Sequence, residues 1–193
     1  MTARMTINGA ILSGGESRRM GHDKALLYLD GKTLLQHVLD ALSAATDDQV
    51  IVSGHEAHQL PHVNRIADIV PKCGPAGGIL TALTWSSSDW TVILSCDTPK
   101  VKSSTIQALI ERSQISTKDA VILSHDGHLM PLIGIYHTRC ATAFQSAIND
   151  QEYRVQTILK LLEYDVHLLD DESSNEVLNI NRLEDINTFY NES

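Results

Sequence analysis

Cysteine is scarce in this chain, and so are the features built from it. Its 193 residues contain only Cys73, Cys96 and Cys140, an odd number, far apart and without a C-x-x-C pair. That pattern excludes a disulfide framework and a structural zinc site of the familiar spacing, and it fits a reduced, cytosolic setting. No run approaches the ~20 apolar residues of a membrane span. The stretch from Met1 to Asn8 has one Arg and no apolar core of signal-peptide length. The expectation is a soluble, unexported protein without a membrane partner. Positive charge is also in deficit, with 15 Lys and Arg against 24 Asp and Glu for a formal net charge of −9. General basicity therefore cannot hold nucleic acid, and a polyanionic ligand needs a local cluster of cations. Internal repeats, linkers and low-complexity tracts are absent from the sequence. What is present is apolar substance: 42% of residues are hydrophobic, and a chain of this length buries about 70% of its unfolded surface. At roughly 100–200 residues per domain, a single domain over residues 1–193 is expected.

The apolar run Ile7 to Leu12 stops at Ser13-Gly14-Gly15 and reads as a buried strand ending in a glycine turn. Glu16 to Asp30 reads as a loop with cationic residues. Thr33 opens a helix, with Gln36 three residues on and Leu34, Leu35, Val38, Leu39 and Leu42 along one face. Gln49 to Ser53 is a strand, a weaker strand lies around Ile66, and Pro71 to Gly78 is a loop before a helix from Ile79 to Trp85. Trp90 to Ser95 is apolar almost throughout, as expected when helices cover both faces of a sheet. Further helices are predicted over Ser103 to Arg112, Ala141 to Ile148 and Val155 to Leu162. Strands are predicted over Ala120 to Leu123, Met130 to Tyr136 and Val166 to Leu169, with a turn at Asp126-Gly127. A last helix is capped by Asn181 with Glu184 at its third position. The alternation predicts a three-layer α/β/α domain with a mostly parallel central sheet, and ligands in such folds sit outside the carboxyl ends of the strands.

Two loops at those ends carry chemistry. The first, Gly14-Gly15-Glu16-Ser17-Arg18-Arg19-Met20-Gly21-His22-Asp23-Lys24, follows a strand and combines glycines with three cations. Glycines let backbone N–H groups approach phosphate oxygens, and Arg and Lys supply charge that the rest of the chain lacks. It is not the nucleoside-triphosphatase P-loop, since no Gly-Lys-Ser/Thr closes it. Nor does it have the G-x-G-x-x-G spacing that a nicotinamide-dependent oxidoreductase needs. Arg18 reads equally as a phosphate ligand or as a solvated neighbour of Arg19. In the second loop Asp97 stands at the end of an apolar strand, before Thr98-Pro99. Alone it reads equally as a helix cap; beside a phosphate loop it suits Mg²⁺, which takes one or two carboxylates plus substrate oxygens.

The run from Leu12 to Val38, L-S-G-G-E-S-R-R-M-G-H-D-K-A-L-L-Y-L-D-G-K-T-L-L-Q-H-V, resembles the signature of the molybdenum cofactor guanylyltransferases. These are the molybdopterin-guanine dinucleotide biosynthesis protein A family, within the Rossmann-like nucleotidyltransferases. Cys73-Gly74-Pro75-Ala76-Gly77-Gly78, Cys96-Asp97-Thr98-Pro99, Met130-Pro131-Leu132 and Asn179-Ile180-Asn181 follow in the family's order, so the resemblance covers nearly the whole chain. It implies that Leu12, Ser13 and Gly14 line base and ribose, that Gly15 and Arg19 approach the triphosphate, and that Lys24 neutralises it. By the same resemblance Ser53 and Asp68 face the nucleoside, the loop to Gly78 closes over guanine, Asp97 holds Mg²⁺, and Asn179 and Asn181 lie where the pterin enters. The implied catalytic set is Arg19, Lys24 and Asp97. Ser13 departs from the family's usual alanine and Ser53 from its common asparagine. The implied reaction joins GMP from GTP to molybdopterin and releases pyrophosphate, with cofactor delivery or acceptor proteins as transient partners. The looser form of the signature is shared by cytidylyl and sugar-phosphate transferases, and a non-catalytic nucleotide-binding protein is the alternative from another class.

In-line attack of a phosphate on a triphosphate brings two anions together, so positioning and charge neutralisation carry the chemistry, and the ionised nucleophile needs no general base. The lack of a Ser-His-Asp set is thus expected. The spacing of His55, His58 and His62 could suit a metal site, but Pro61 interrupts any helix and the surroundings are polar, so they are read as a solvated loop. His125 and His128 are read as exposed beside a turn, and Trp85 and Trp90 as core.

Overall fold

The computed structural model describes residues 5–14, 23–180 and 185. Its elements are β1 (Ile7–Leu12), β2 (Tyr28–Leu29), β3 (Lys32–Thr33), α1 (Leu34–Ser43), β4 (Asp48–Val52), β5 (Asn64–Ile66) and α2 (Gly74–Trp85), followed by β6 (Trp90–Ser95), α3 (Ser103–Ile115), β7 (Ala120–His125) and β8 (His128–His137), then α4 (Ala141–Asn149), α5 (Val155–Ile158) and β9 (Tyr164–Leu168). Short 3₁₀ turns occur at Lys24–Leu26, Glu56–His58, Thr138–Cys140, Leu159–Leu161 and Asp171–Val177.

Seven strands form one sheet in the order β5-β4-β1-β6-β8-β7-β9, all parallel except β8, which runs antiparallel to β6 and β7. The expected mostly parallel sheet is observed. Every residue of β1 and of β6 is buried, because alternate side chains enter different cores. Ile7 and Ile11 pack with Leu35, Val38 and Leu42 of α1 and Ile106 and Leu109 of α3. Ala10 and Leu12 pack with Ile79 and Leu83 of α2 and Phe144 of α4. Each fully buried Leu, Ile or Phe contributes roughly 1.5–3 kcal/mol of transfer free energy, which drives both layers onto the sheet.

Local chemistry sets the boundaries. Thr33 caps α1 as expected, its Oγ1 accepting from the Gln36 N–H at 3.2 Å. Asp126 and Gly127 both have positive φ, 49° and 72°, the backbone that a two-residue turn between β7 and β8 requires. Two expectations are corrected. The loop expected over Pro71 to Gly78 gives way to helix from Gly74, because Pro75 is preorganised for a first turn and lacks only an N–H that no helix start pairs. The stretch expected as loop up to Asp30 contains the turn Lys24–Leu26 and a small hairpin of β2 and β3, turning at Asp30 and Gly31 with φ 46° and 80°. The helix expected at Asn181 lies outside the described residues.

After β1 the chain moves by α1 to β4 and β5 on one side, then by α2 to β6 on the other. The crevice at the carboxyl ends of β1 and β6 is therefore the topological switch point, the place where open α/β sheets bind ligands.

Candidate active site

Backbone hydrogen bonds continue past the strand ends and knit the floor of this crevice. Ser13 N–H donates to Val52 O at 3.0 Å, Ser53 N–H to Ile66 O at 2.8 Å and Cys96 N–H to Leu12 O at 3.2 Å. Ser13, Ser53 and Cys96 are thus brought to one edge although they are far apart in sequence. Above them Lys24 and Asp97 meet across the switch point. The Lys24 ammonium donates to Asp97 Oδ2 at 2.9 Å, and the two side chains keep 16% and 24% of their exposure. Lys24 is set by its turn, since Asp23 Oδ1 accepts the Ala25 N–H at 3.1 Å and caps it.

Asp68 forms one wall. Its carboxylate lies near Gly14 and Gly77: a Cβ at Gly14 would stand 3.7 Å from Oδ2, and one at Gly77 3.9 Å from Oδ1. Burial pushes the Asp68 carboxyl above its ordinary range. Segment 68–70 is pinned to α2 through Thr81, whose Oγ1 accepts the Ile69 N–H at 3.0 Å and donates to Gly77 O at 2.8 Å. Gly77 is required by this close approach, because a Cβ there would come 2.9 Å from Val70 O. Gly78 lies against Leu12, whose Cδ2 would be 3.1 Å from a Cβ at that position. The Cys96 thiol is pushed up to about 11, by burial first and the neighbouring Asp97 carboxylate second.

The fold therefore gathers Leu12, Ser13, Gly14, Lys24, Asp68, Gly78 and Asp97 at one crevice. Ser53 belongs to its floor and is fully buried, its hydroxyl engaged with the His58 ring at 2.7 Å and the His55 N–H at 3.1 Å. Asn179 is exposed and directly precedes Ile180, whose N–H donates to Asp97 O at 2.9 Å. Gly15, Arg18, Arg19 and Asn181 lie outside the described residues. The expectation of a solvated histidine loop holds for His55 and His62, which are exposed, but not for His58, which is 2% exposed and hydrogen-bonded on both ring nitrogens. His128 is exposed as expected, whereas His125 is partly buried. Trp90 is core, with its ring edge-on to His137 at 5.1 Å.

Among the described residues no group of three or more His, Cys, Asp or Glu forms a metal cluster, and no helix is long and apolar enough to cross a membrane. The Asp97 carboxylate is a hard oxygen donor of the kind that a divalent cation takes one or two of, its other ligands being water and substrate oxygens.

Residues 9–168 match the family model for the MobA-like NTP transferase domain. The chain belongs to the MobA-like NTP transferase family. Among curated relatives, a probable molybdenum cofactor guanylyltransferase of Flavobacterium johnsoniae is 30% identical over 185 residues, covering 94% of this chain and 95% of the relative. One from Halalkalibacterium halodurans is 33% identical over 189 residues, covering 92% and 94%. The crystal structure of molybdopterin-guanine dinucleotide biosynthesis protein A from Archaeoglobus fulgidus superposes with a TM-score of 0.82 at 26% identity, over 96% of this chain and 100% of that one. This MobA-like transferase is thus a nucleotidyltransferase with a Rossmann-like fold.

Sequence reasoning missed Asp23, His58 and Glu176. Their decisive contacts, His58 with Asp23 and Ser13 and Glu176 with Lys102 and Thr105, join residues 35 or more apart, which no local pattern reports.

Proposed function

We propose that this protein transfers GMP from GTP to molybdopterin, forming the molybdopterin guanine dinucleotide and pyrophosphate. The observation that carries the reading is the Lys24–Asp97 contact at 2.9 Å across the switch point, a cation and a carboxylate each holding the partner that a metal-bound triphosphate replaces. An oxygen of the terminal phosphate of molybdopterin attacks the α-phosphorus of GTP, forming a P–O bond while the bond to the bridging oxygen breaks and the electron pair leaves with pyrophosphate. The attacking phosphate is already ionised, so no residue need remove a proton. Lys24, with Arg19, neutralises charge on the phosphates, and Asp97 would hold Mg²⁺. When bound, that ion neutralises charge at the α-phosphate and the leaving group. Leu12, Ser13, Gly14, Gly15, Ser53, Asp68 and Gly78 form the nucleotide side, and Asn179 and Asn181 the pterin side. GTP supply and reduced thiols favour the cytoplasm, with transient contact to cofactor delivery or acceptor proteins.

Purified protein with GTP, Mg²⁺ and molybdopterin should release pyrophosphate and form the dinucleotide. Product with CTP but not GTP overturns the guanine assignment, and Mg²⁺-independent turnover overturns the metal.

A further inference from the structure

His58 is the most heavily engaged buried polar group beside the crevice. Its Nε2 lies 2.8 Å from Asp23 Oδ2, and its Nδ1 lies 2.7 Å from Ser53 Oγ and 3.0 Å from Ser13 Oγ. A carboxylate only accepts, so Nε2 carries a proton toward Asp23, while Nδ1 faces the two serine hydroxyls. Ser53 and His58 are essentially inaccessible, and Ser13 retains 4% exposure, so water competes little for these bonds and they are correspondingly strong.

The partners define what the ring does. Ser13 and Ser53 end the adjacent strands β1 and β4, a rigid base. Asp23 directly precedes Lys24, and its other oxygen caps the turn that begins there. A continuous path therefore runs from the strand ends through the imidazole and Asp23 to the turn, and from Lys24 to Asp97. We propose that His58 is a positioning residue for nucleotidyl transfer, anchoring Asp23 to the strand ends so that Lys24 stands opposite Asp97. Ser13 and Ser53 supply the hydroxyls that His58 needs. This rests on the reading of Lys24 as the cation that meets the triphosphate.

Two substitutions divide the ring into halves. His58→Gln keeps a donor near the Nε2 position, facing Asp23, and loses the serine side. His58→Asn keeps an acceptor near the Nδ1 position and leaves Asp23 without its partner. At saturating GTP, His58→Asn is expected to lower kcat by ~10–100-fold, the scale of an ångström-sized misplacement. His58→Gln is expected to retain most of kcat and to raise KM for GTP several-fold. Asp23→Asn should match the kcat loss of His58→Asn, and the double variant should be no worse than either single one, because both break one link. Wild-type kcat in His58→Asn, or equal kcat losses in the Gln and Asn variants at equal folded fraction by circular dichroism, overturns the proposal. If the wild type fails to use GTP, the guanylyl reading falls separately. Calorimetric titration with inorganic tripolyphosphate then decides, since it asks only whether Lys24 is in place. Binding ~10-fold weaker in the Asn variant than in the Gln variant supports the anchor, and equal binding overturns it.

Discussion

The backbone N–H of Ile180 donates to the carbonyl of Asp97 at 2.9 Å, so the segment carrying Asn179 hangs from the residue at the centre of the crevice. Glu176 holds the same segment four residues earlier. Its buried carboxylate accepts from Lys102 N–H at 3.1 Å and Thr105 Oγ1–H at 2.5 Å, and its Oε1 meets the Lys102 ammonium at 3.0 Å. An acidic side chain supplied from a distant segment thus caps the start of α3, where orphan N–H groups and the helix dipole favour it. Glu176→Ala is expected to cost about 2 kcal/mol or more, seen as a Tm lower by roughly 4–8 °C. It should also raise KM for the pterin more than KM for GTP. An unchanged melting curve removes the capping role, and an unchanged pterin KM removes the link to the crevice.

Lys24 and Asp97 neutralise each other in the free protein and are expected to part when nucleotide and metal bind. Lys24→Met should lower kcat/KM for GTP by ~10²–10³-fold, the range for loss of a group that stabilises developing charge. Asp97→Asn should leave the fold intact by circular dichroism and raise the Mg²⁺ concentration needed for half-maximal rate by tenfold or more. Turnover of Asp97→Asn that is unchanged at limiting Mg²⁺ assigns the metal elsewhere.

Protonation of two histidines should weaken the fold in mild acid. Burial holds the His137 and His167 rings below the ordinary 6.5, so between pH 5 and 7 these two groups bind more protons in the unfolded chain than in the folded one, and the stability they contribute falls as pH falls through that window. The paired carboxylates of Asp40 and Asp119 are lowered from 3.8 and act in the same sense only below about pH 4. His137 also accepts the Arg139 N–H through Nδ1 at 3.2 Å, a bond that protonation removes. In thermal melts from pH 5 to 8, His137→Gln and His167→Gln should each flatten the dependence relative to wild type. Taking the difference cancels Asp68, whose raised carboxyl works in the opposite direction. Slopes identical to wild type reject the assignment.

The thiols should be unreactive in the folded protein. Burial holds Cys96 at about 11 and Cys140 at about 12, and raises Cys73 as well. At pH 8 the thiolate fraction of Cys96 is then ~0.1%, and thiolate is the reactive form. Iodoacetamide followed by mass spectrometry should label all three slowly in buffer and rapidly in guanidinium. Rapid native labelling of Cys96 would mean that the crevice floor is open.

Much of the architecture was legible because it rests on local chemistry. The mostly apolar runs of β1 and β6 read as strands buried on both faces, and Thr33 with Gln36 marked the start of α1. Lys24 and Asp97 stood out by residue type and by place at strand ends. Where short-range signals conflicted, the reading went astray: the glycines of α2's first turn read as loop because their purpose, approach to Val70 and Leu12, lies outside the helix. The sequence by itself determined the alternation of elements and the layered sheet, since these follow from periodicity and capping along one stretch of chain. Only tertiary structure decided that Lys24 meets Asp97, that His58 joins Ser13 and Ser53 to Asp23, and that Glu176 caps α3. All of those contacts but His58 with Ser53 span distant residues, and their free energy depends on burial and direction that no local pattern records.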